Sequence, residues 1–176
     1  NKTRVALKLT HKAYRQLLSA LRKRSNVLER LMSNGEWDKI EYAKIPSKAG
    51  FIYRNAFAKR DAERYKEFIS NKDTKVNASA MYPYDMVKAV TDKLSDSFWN
   101  RDAQVEMTEE ERNAINKYWA NKKDYLQGVN KKILGMIDTS GSMASNYYGG
   151  VKPIDVAISI GMYAAEGLTG PFANHY

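Results

Sequence analysis

The sequence predicts a mainly α-helical region, residues 1–128, followed by the first strand and helix of an α/β domain, residues 129–176. Apolar residues recur at helical spacing through most of the first region. The second region opens with a short, continuous apolar run, which is typical of a strand covered on both faces. Charge divides the chain at nearly the same place: residues 1–134 carry a net charge of +11, and residues 135–176 carry −2.

The first strongly periodic segment runs from His11 to Met32. It predicts an amphipathic helix or, because the period breaks near residues 24–26, a helix pair, and Asn34-Gly35 predicts where the helical segment ends. The apolar positions that define the period are Ala13, Leu17, Leu18, Leu21, Val27, Leu28 and Leu31.

Short helices joined by brief turns are predicted from Ser47 to about residue 127. Ser47 is expected to cap the first of them. Thr108 and Glu111 form a capping box at the start of the last, whose apolar positions extend to Leu126. Segment 95–107 has no clear period and predicts a loop. Successive short helix pairs are also typical of a HEAT-like α-solenoid.

The change in pattern after Gly128 predicts a strand, a loop and a helix. Ile133–Ile137 is the predicted buried strand, and the Gly-rich residues 138–150 are the loop. Pro153 suits the first turn of the next helix, where Asp155 would lie near the positive end of the helix dipole.

Composition limits the class of protein. Twenty aromatic residues (Phe 5, Trp 3, Tyr 12) supply material for a packed core. The absence of cysteine excludes disulfides and thiolate chemistry and favours an intracellular, cytoplasmic setting. No apolar stretch is long enough for a membrane span, so no membrane partner is expected. Because the chain begins with Asn, we expect it to be a piece of a longer protein.

Positive charge is concentrated near the amino terminus. The first 30 residues contain nine basic side chains and a single acid, Glu29. Such an excess favours binding of a polyanion such as nucleic acid, although a basic surface can also serve only solubility. The candidate phosphate contacts, chosen by clustering, are Arg15, Arg22, Lys23, Arg24, Arg54, Lys59, Arg60 and Arg64.

One motif points to a metal ion. Asp138, Ser140 and Ser142 directly follow the predicted strand, at the carboxyl end where α/β sheets bind ligands. One carboxylate and two hydroxyls are hard oxygen donors that suit Mg²⁺. The same residue types also cap helices and form turns, and that is their more common role.

The context of this motif resembles a known family. Residues 133–143, ILGMIDTSGSM, are similar to the first strand and metal-ion-dependent adhesion motif (MIDAS) of a von Willebrand factor A domain. The resemblance implies that Asp138, Ser140 and Ser142 ligate the metal. It also implies a Thr and an Asp from later loops, which this chain does not reach, so the site is expected to be incomplete here.

The helical region has a resemblance of its own. Short segments along it, followed by the A-domain start, resemble the DUF2828 family of plant, fungal and viral proteins. They are Tyr14–Leu18, Trp37–Ile40, Ile45–Ser47, Tyr53–Phe57, Arg64-Tyr65, Ala80–Pro83 and Tyr118-Trp119. The order of helical module and A domain is similar to the Ro autoantigen and its TROVE module, which implies helical repeats that bind RNA.

Three functions are compatible with these patterns. The leading expectation is a non-enzymatic RNA-binding protein with a Mg²⁺-dependent A-domain surface. The alternative is a viral or cellular structural or protein-interaction module that recruits a protein partner through the metal site. A Mg²⁺-dependent nuclease or phosphatase ranks last, because it needs further acids near Asp138 and only Asp155 and Glu166 follow it.

Overall fold

The computed structural model describes residues 2–25, 27–94, 107–129, 133–145 and 150–175. These residues form eight α-helices and contain no strand, so the mainly helical prediction is confirmed. They fall into two compact units, Asn1–Tyr42 and Ala43–Tyr176. The predicted boundary after residue 128 lies inside the second unit and stays a prediction. Among the described helices, none has the length and apolar character that a bilayer span requires.

The first unit contains α1 (Lys2–Ala6), α2 (His11–Arg24) and α3 (Leu28–Ser33). Of the two predicted alternatives, a single helix or a helix pair, the structure has the pair, with α2 ending at Arg24 and α3 beginning at Leu28. Thr10 caps α2, because its hydroxyl oxygen accepts the backbone N–H of Ala13 at 3.2 Å. Beyond α3, Gly35 adopts a φ of +71°, a left-handed conformation that suits glycine after a helix end.

The second unit contains five α-helices. They are α4 (Ser47–Arg60), α5 (Ala62–Ser70), α6 (Pro83–Thr91), α7 (Glu109–Ala120) and α8 (Pro153–Gly167). α4, α5 and α7 pack against one another, and α6 packs against both α7 and α8. The core side chains include Phe51, Phe57, Tyr65, Ile69, Met86, Ile115, Tyr118 and Ile154.

Single 3-10 turns lie at Trp37–Lys39, Tyr42–Lys44, Asp92–Leu94 and Gly141–Ala144.

Two predicted helix caps of the second unit can be compared with the structure, at the starts of α7 and α4. The capping box of α7 is confirmed: the Glu111 N–H donates to Thr108 Oγ1, and the Thr108 N–H donates to Glu111 Oε2, both at 3.2 Å. The capping role predicted for Ser47 is wrong, because the cap position is Pro46 and Ser47 Oγ donates to Asn77 Oδ1 at 2.8 Å. Segment 95–106 of the predicted loop lies outside the described residues.

The helix predicted to reach Leu126 ends earlier, at Ala120. The chain then turns toward α8, where the backbone N–H of Tyr125 donates to the hydroxyl of Tyr163. The apolar pattern therefore continues past the end of the helix, because the residues after Ala120 meet α8 without being helical themselves.

The predicted buried strand is not found. Residues 133–140 have no strand assignment, and the side chains of Leu134 and Met136 are 51% and 94% exposed. A strand needs a neighbouring strand to bond its backbone groups, and the described part of the chain offers none. An apolar run alone therefore does not make a strand here.

The helix predicted at Pro153 is confirmed as α8, but its surroundings differ from a sheet. Ile154, Gly161 and Ala165 are buried, and α8 packs on α6 of the helical region. Asp155 is fully buried and accepts a 2.6 Å hydrogen bond from the Thr91 hydroxyl at the end of α6. Asp155 thus joins two helices in addition to lying in the first turn of its own.

Candidate functional site

The candidate metal motif forms a small, exposed group of oxygens. The Ser140 backbone N–H donates to Asp138 Oδ1 at 2.8 Å, which turns the chain back over the carboxylate. Ser140 Oγ and Ser142 Oγ lie 3.3 Å apart. Ser142 lies in the 3-10 turn Gly141–Ala144, which holds its hydroxyl on the same side as that of Ser140. The three predicted ligands are therefore brought together.

The donor set fits Mg²⁺ in part. Neighbouring ligand oxygens of an octahedral Mg²⁺ lie on the order of 3 Å apart, close to the spacing of the two hydroxyls. Hydrogen bonds from the backbone and side chain of Ser140 hold the pKa of Asp138 below its ordinary value, so this carboxylate is ionised at neutral pH. No group of three acidic, His or Cys residues that could hold a metal occurs among the described residues. A metal here would depend on one carboxylate, two hydroxyls and water.

The two acidic residues that follow the motif in sequence form contacts between helices. Asp155 bonds Thr91 as described above. Glu166 accepts the indole N–H of Trp119 at 2.7 Å and pairs with Lys122 at 3.1 Å, which ties α8 to the end of α7. Neither carboxylate adds to the oxygens around Asp138 in these contacts.

Four of the predicted phosphate contacts share one exposed helix. Arg15, Arg22, Lys23 and Arg24 all lie on α2, and their side chains are exposed. α2 contains no acidic residue, so nothing within the helix neutralises them. Arg15 and Arg22 are seven residues apart and therefore lie on nearly the same face. Cations in the last turn also stabilise the helix by interacting with its dipole, and their charges remain exposed to solvent while they do so. We call these four residues the α2 basic surface.

The cations of the second unit lie among acids. Lys59 and Arg60 are exposed at the end of α4, and Arg64 on α5 pairs with Asp61 at 2.9 Å. Lys59 also lines a groove of about 470 Å³ between α4, α5 and the start of α7. The carboxylates in that groove are Glu63, Glu109, Glu110 and Glu111. Lys59 thus shares its groove with four carboxylates, whereas α2 contains no acidic residue.

Arg54 stands apart from the other predicted contacts. Its side chain is half-buried, and its guanidinium lies 4.2 Å from the centre of the Phe51 ring. Nη1 donates to the Phe51 carbonyl at 2.7 Å, and burial lowers the pKa of Arg54 from its ordinary value. Because this side chain packs against Phe51, Arg54 is not among the proposed phosphate contacts.

A surface that sequence reasoning did not single out lies at the start of α6. The rings of Tyr82 and Tyr84 stack at 5.8 Å with an interplanar angle of 9°, and Tyr82 is 54% exposed. Lys48 Nζ, at the start of α4, lies 5.9 Å from the centre of the Tyr82 ring. The Tyr-Pro-Tyr segment was visible in the sequence, but its proximity to Lys48 depends on tertiary contacts.

Comparison with known proteins places this chain in a family. The family model described as a domain of unknown function, DUF2828, matches residues 1–130. The chain is also similar to the uncharacterized protein L728 of Acanthamoeba polyphaga mimivirus, with 30% identity over 181 residues. That alignment covers 93% of this chain but only 28% of the viral protein. No solved structure matches. Since the family model covers most of its length, the chain belongs to the DUF2828 family.

Proposed function

We propose that this chain is part of a non-enzymatic RNA-binding protein, in which the α2 basic surface holds the phosphates of a single-stranded RNA. The observation that carries the proposal is the set of four exposed cations on one helix without an acid. Lys59, Arg60 and Arg64 would contribute further, weaker contacts. Similarity in domain order to TROVE proteins supports RNA over other polyanions, but only as an analogy of architecture.

The test is fluorescence anisotropy of a labelled single-stranded RNA, titrated with the protein from low to physiological salt. If cations hold phosphates, the logarithm of the affinity falls linearly with the logarithm of the salt concentration, because bound counterions are released. We expect binding that weakens steeply with salt and does not require Mg²⁺. Absence of binding at low salt would overturn the proposal.

A second function is favoured by the group of oxygens at Asp138. We propose that residues 129–176 begin a von Willebrand factor A domain whose Mg²⁺ is held by Asp138, Ser140 and Ser142, with water and later loops supplying the remaining ligands. An ion bound there would present an open coordination position to a carboxylate of a protein partner. The exposure of all three side chains supports this role.

Asp138→Ala is expected to abolish Mg²⁺ binding, because it removes the one anionic ligand of the site. Isothermal titration with MgCl₂ measures this directly. Asp73→Ala removes an exposed carboxylate elsewhere and is the matched control. Equal Mg²⁺ affinity in the two variants would contradict the metal assignment. RNA affinity of Asp138→Ala should equal that of the parent chain, since the α2 basic surface is untouched.

A further inference from the structure

We propose that Tyr82, backed by Tyr84 and flanked by Lys48, is a stacking site for one base of a single-stranded RNA. This inference rests on the proposed RNA binding and adds a contact to the bases, where the α2 basic surface offers contacts only to phosphates. Aromatic rings bind successive bases of single strands in this way without reading their identity, because every base has a flat π face.

The Tyr82 ring is held in place before any ligand arrives. Tyr84 stacks against it with nearly parallel planes. The Tyr82 backbone N–H donates to Asp85 Oδ2 at 2.9 Å, and Pro83 restricts the backbone at the start of α6. A ring that is already ordered loses little conformational entropy when a base stacks on it. Tyr82 as a whole residue is 54% exposed, which leaves accessible surface for a base.

Lys48 is positioned next to this ring by contacts at the start of α4. Ser47 Oγ donates to Asn77 Oδ1 at 2.8 Å and accepts the Ala80 backbone N–H at 3.3 Å. These bonds fasten the segment that precedes Tyr82 to the first turn of α4. Lys48 is itself exposed, so its flexible side chain can turn from the ring to the phosphate that adjoins a stacked base. A cation beside an aromatic platform is the combination that single-strand binding sites use.

Another exposed tyrosine provides a comparison within the same unit. Tyr125 is 57% exposed, and Lys123 Nζ lies 4.8 Å from the centre of its ring. No second aromatic ring stacks on Tyr125 within the described part of the chain. Tyr125 therefore shares the exposure and the neighbouring cation of Tyr82 but lacks the supporting ring, which makes it the matched control.

The experiment compares two labelled probes by anisotropy: a short oligouridine, and an abasic ribose-phosphate strand of equal length and charge. Tyr82→Ala is expected to weaken oligouridine binding by about 5- to 100-fold, the range for loss of one stacked base. Binding of the abasic strand and the salt dependence should not change. Tyr82→Trp should retain affinity, because indole stacks at least as well. Tyr125→Ala should leave both probes unaffected.

Each outcome has a distinct meaning. If the parent chain binds neither probe, the proposed RNA function fails and the stacking site fails with it. If it binds both probes equally, or if Tyr82→Ala matches Tyr125→Ala, the stacking site is overturned while RNA binding stands. Tyr82→Ala could also lose affinity equally for both probes, with Tyr82→Trp losing affinity too. That result would show that Tyr82 acts by stabilising the fold, and it would overturn the proposal as well.

Discussion

Replacing Arg22, Lys23 and Arg24 together by glutamine is expected to weaken binding of single-stranded RNA on the order of 100-fold near 0.1 M salt. Each phosphate contact on a single strand contributes about 0.7 to the slope of log affinity against log salt, so three lost contacts reduce that slope by about 2. Glutamine is chosen because it removes the charge and remains a good helix former. The measurement is the anisotropy titration repeated at several salt concentrations.

The control removes the same charge elsewhere. Lys66, Lys72 and Lys75 are exposed cations of the second unit that do not belong to the predicted set. Their triple replacement by glutamine should change affinity and slope much less. Equal effects of the two triple variants would show that net charge, rather than the α2 basic surface, attracts the RNA. Circular dichroism of both variants checks that the total helix content is unchanged.

Thr91→Val is expected to lower the free energy of unfolding by about 2 to 4 kcal/mol, because it leaves a buried acidic group without its hydrogen-bond donor. Thr91 donates to Asp155 Oδ1 at 2.6 Å, and Asp155 is 0% exposed. The other oxygen, Oδ2, has no hydrogen-bond partner among the described residues. Valine has nearly the same shape as threonine, so packing is preserved while the bond is lost. Urea unfolding followed by circular dichroism measures the change.

Two further variants separate the hydrogen bond from packing. Thr91→Ser keeps the hydroxyl and should cost less than Thr91→Val. The double variant Thr91→Val with Asp155→Leu removes both polar partners and should be more stable than Thr91→Val alone, since no unpartnered polar group remains. If Thr91→Val and Thr91→Ser are equally stable, the bond does not hold α8 to α6. Hydrogen exchange of the α8 amides distinguishes local detachment of that helix from global unfolding.

Local patterns in the sequence were sufficient for most of the helices. The pair α2 and α3, the Thr108–Glu111 capping box and the start of α8 at Pro153 all depend on residues within one turn of each other. Helix signals of this kind are local, because backbone bonds and caps join residues three or four apart. The candidate metal motif was likewise recognisable, since its three oxygen-bearing side chains lie within five consecutive residues.

Other features depended on contacts between residues far apart in the chain. The run Ile133–Ile137 has the composition of a strand, but a strand also needs a partner strand, and none occurs among the described residues. The chain leaves α7 and turns toward α8, where the Tyr125 N–H meets the hydroxyl of Tyr163, 38 residues further along the chain. No sequence period records such contacts.

The sequence by itself determined that the chain is mainly helical, where its cations concentrate, and that Asp138, Ser140 and Ser142 lie close together, because each of these follows from composition or from short spacing. Only the tertiary structure decided that Asp155 bonds Thr91, 64 residues away, and that Lys48 lies beside Tyr82. The first pairing arises where α6 packs on α8, and the second where Ser47 bonds the segment that precedes α6. Packing selects partners by shape and burial over the whole unit, which local sequence cannot encode.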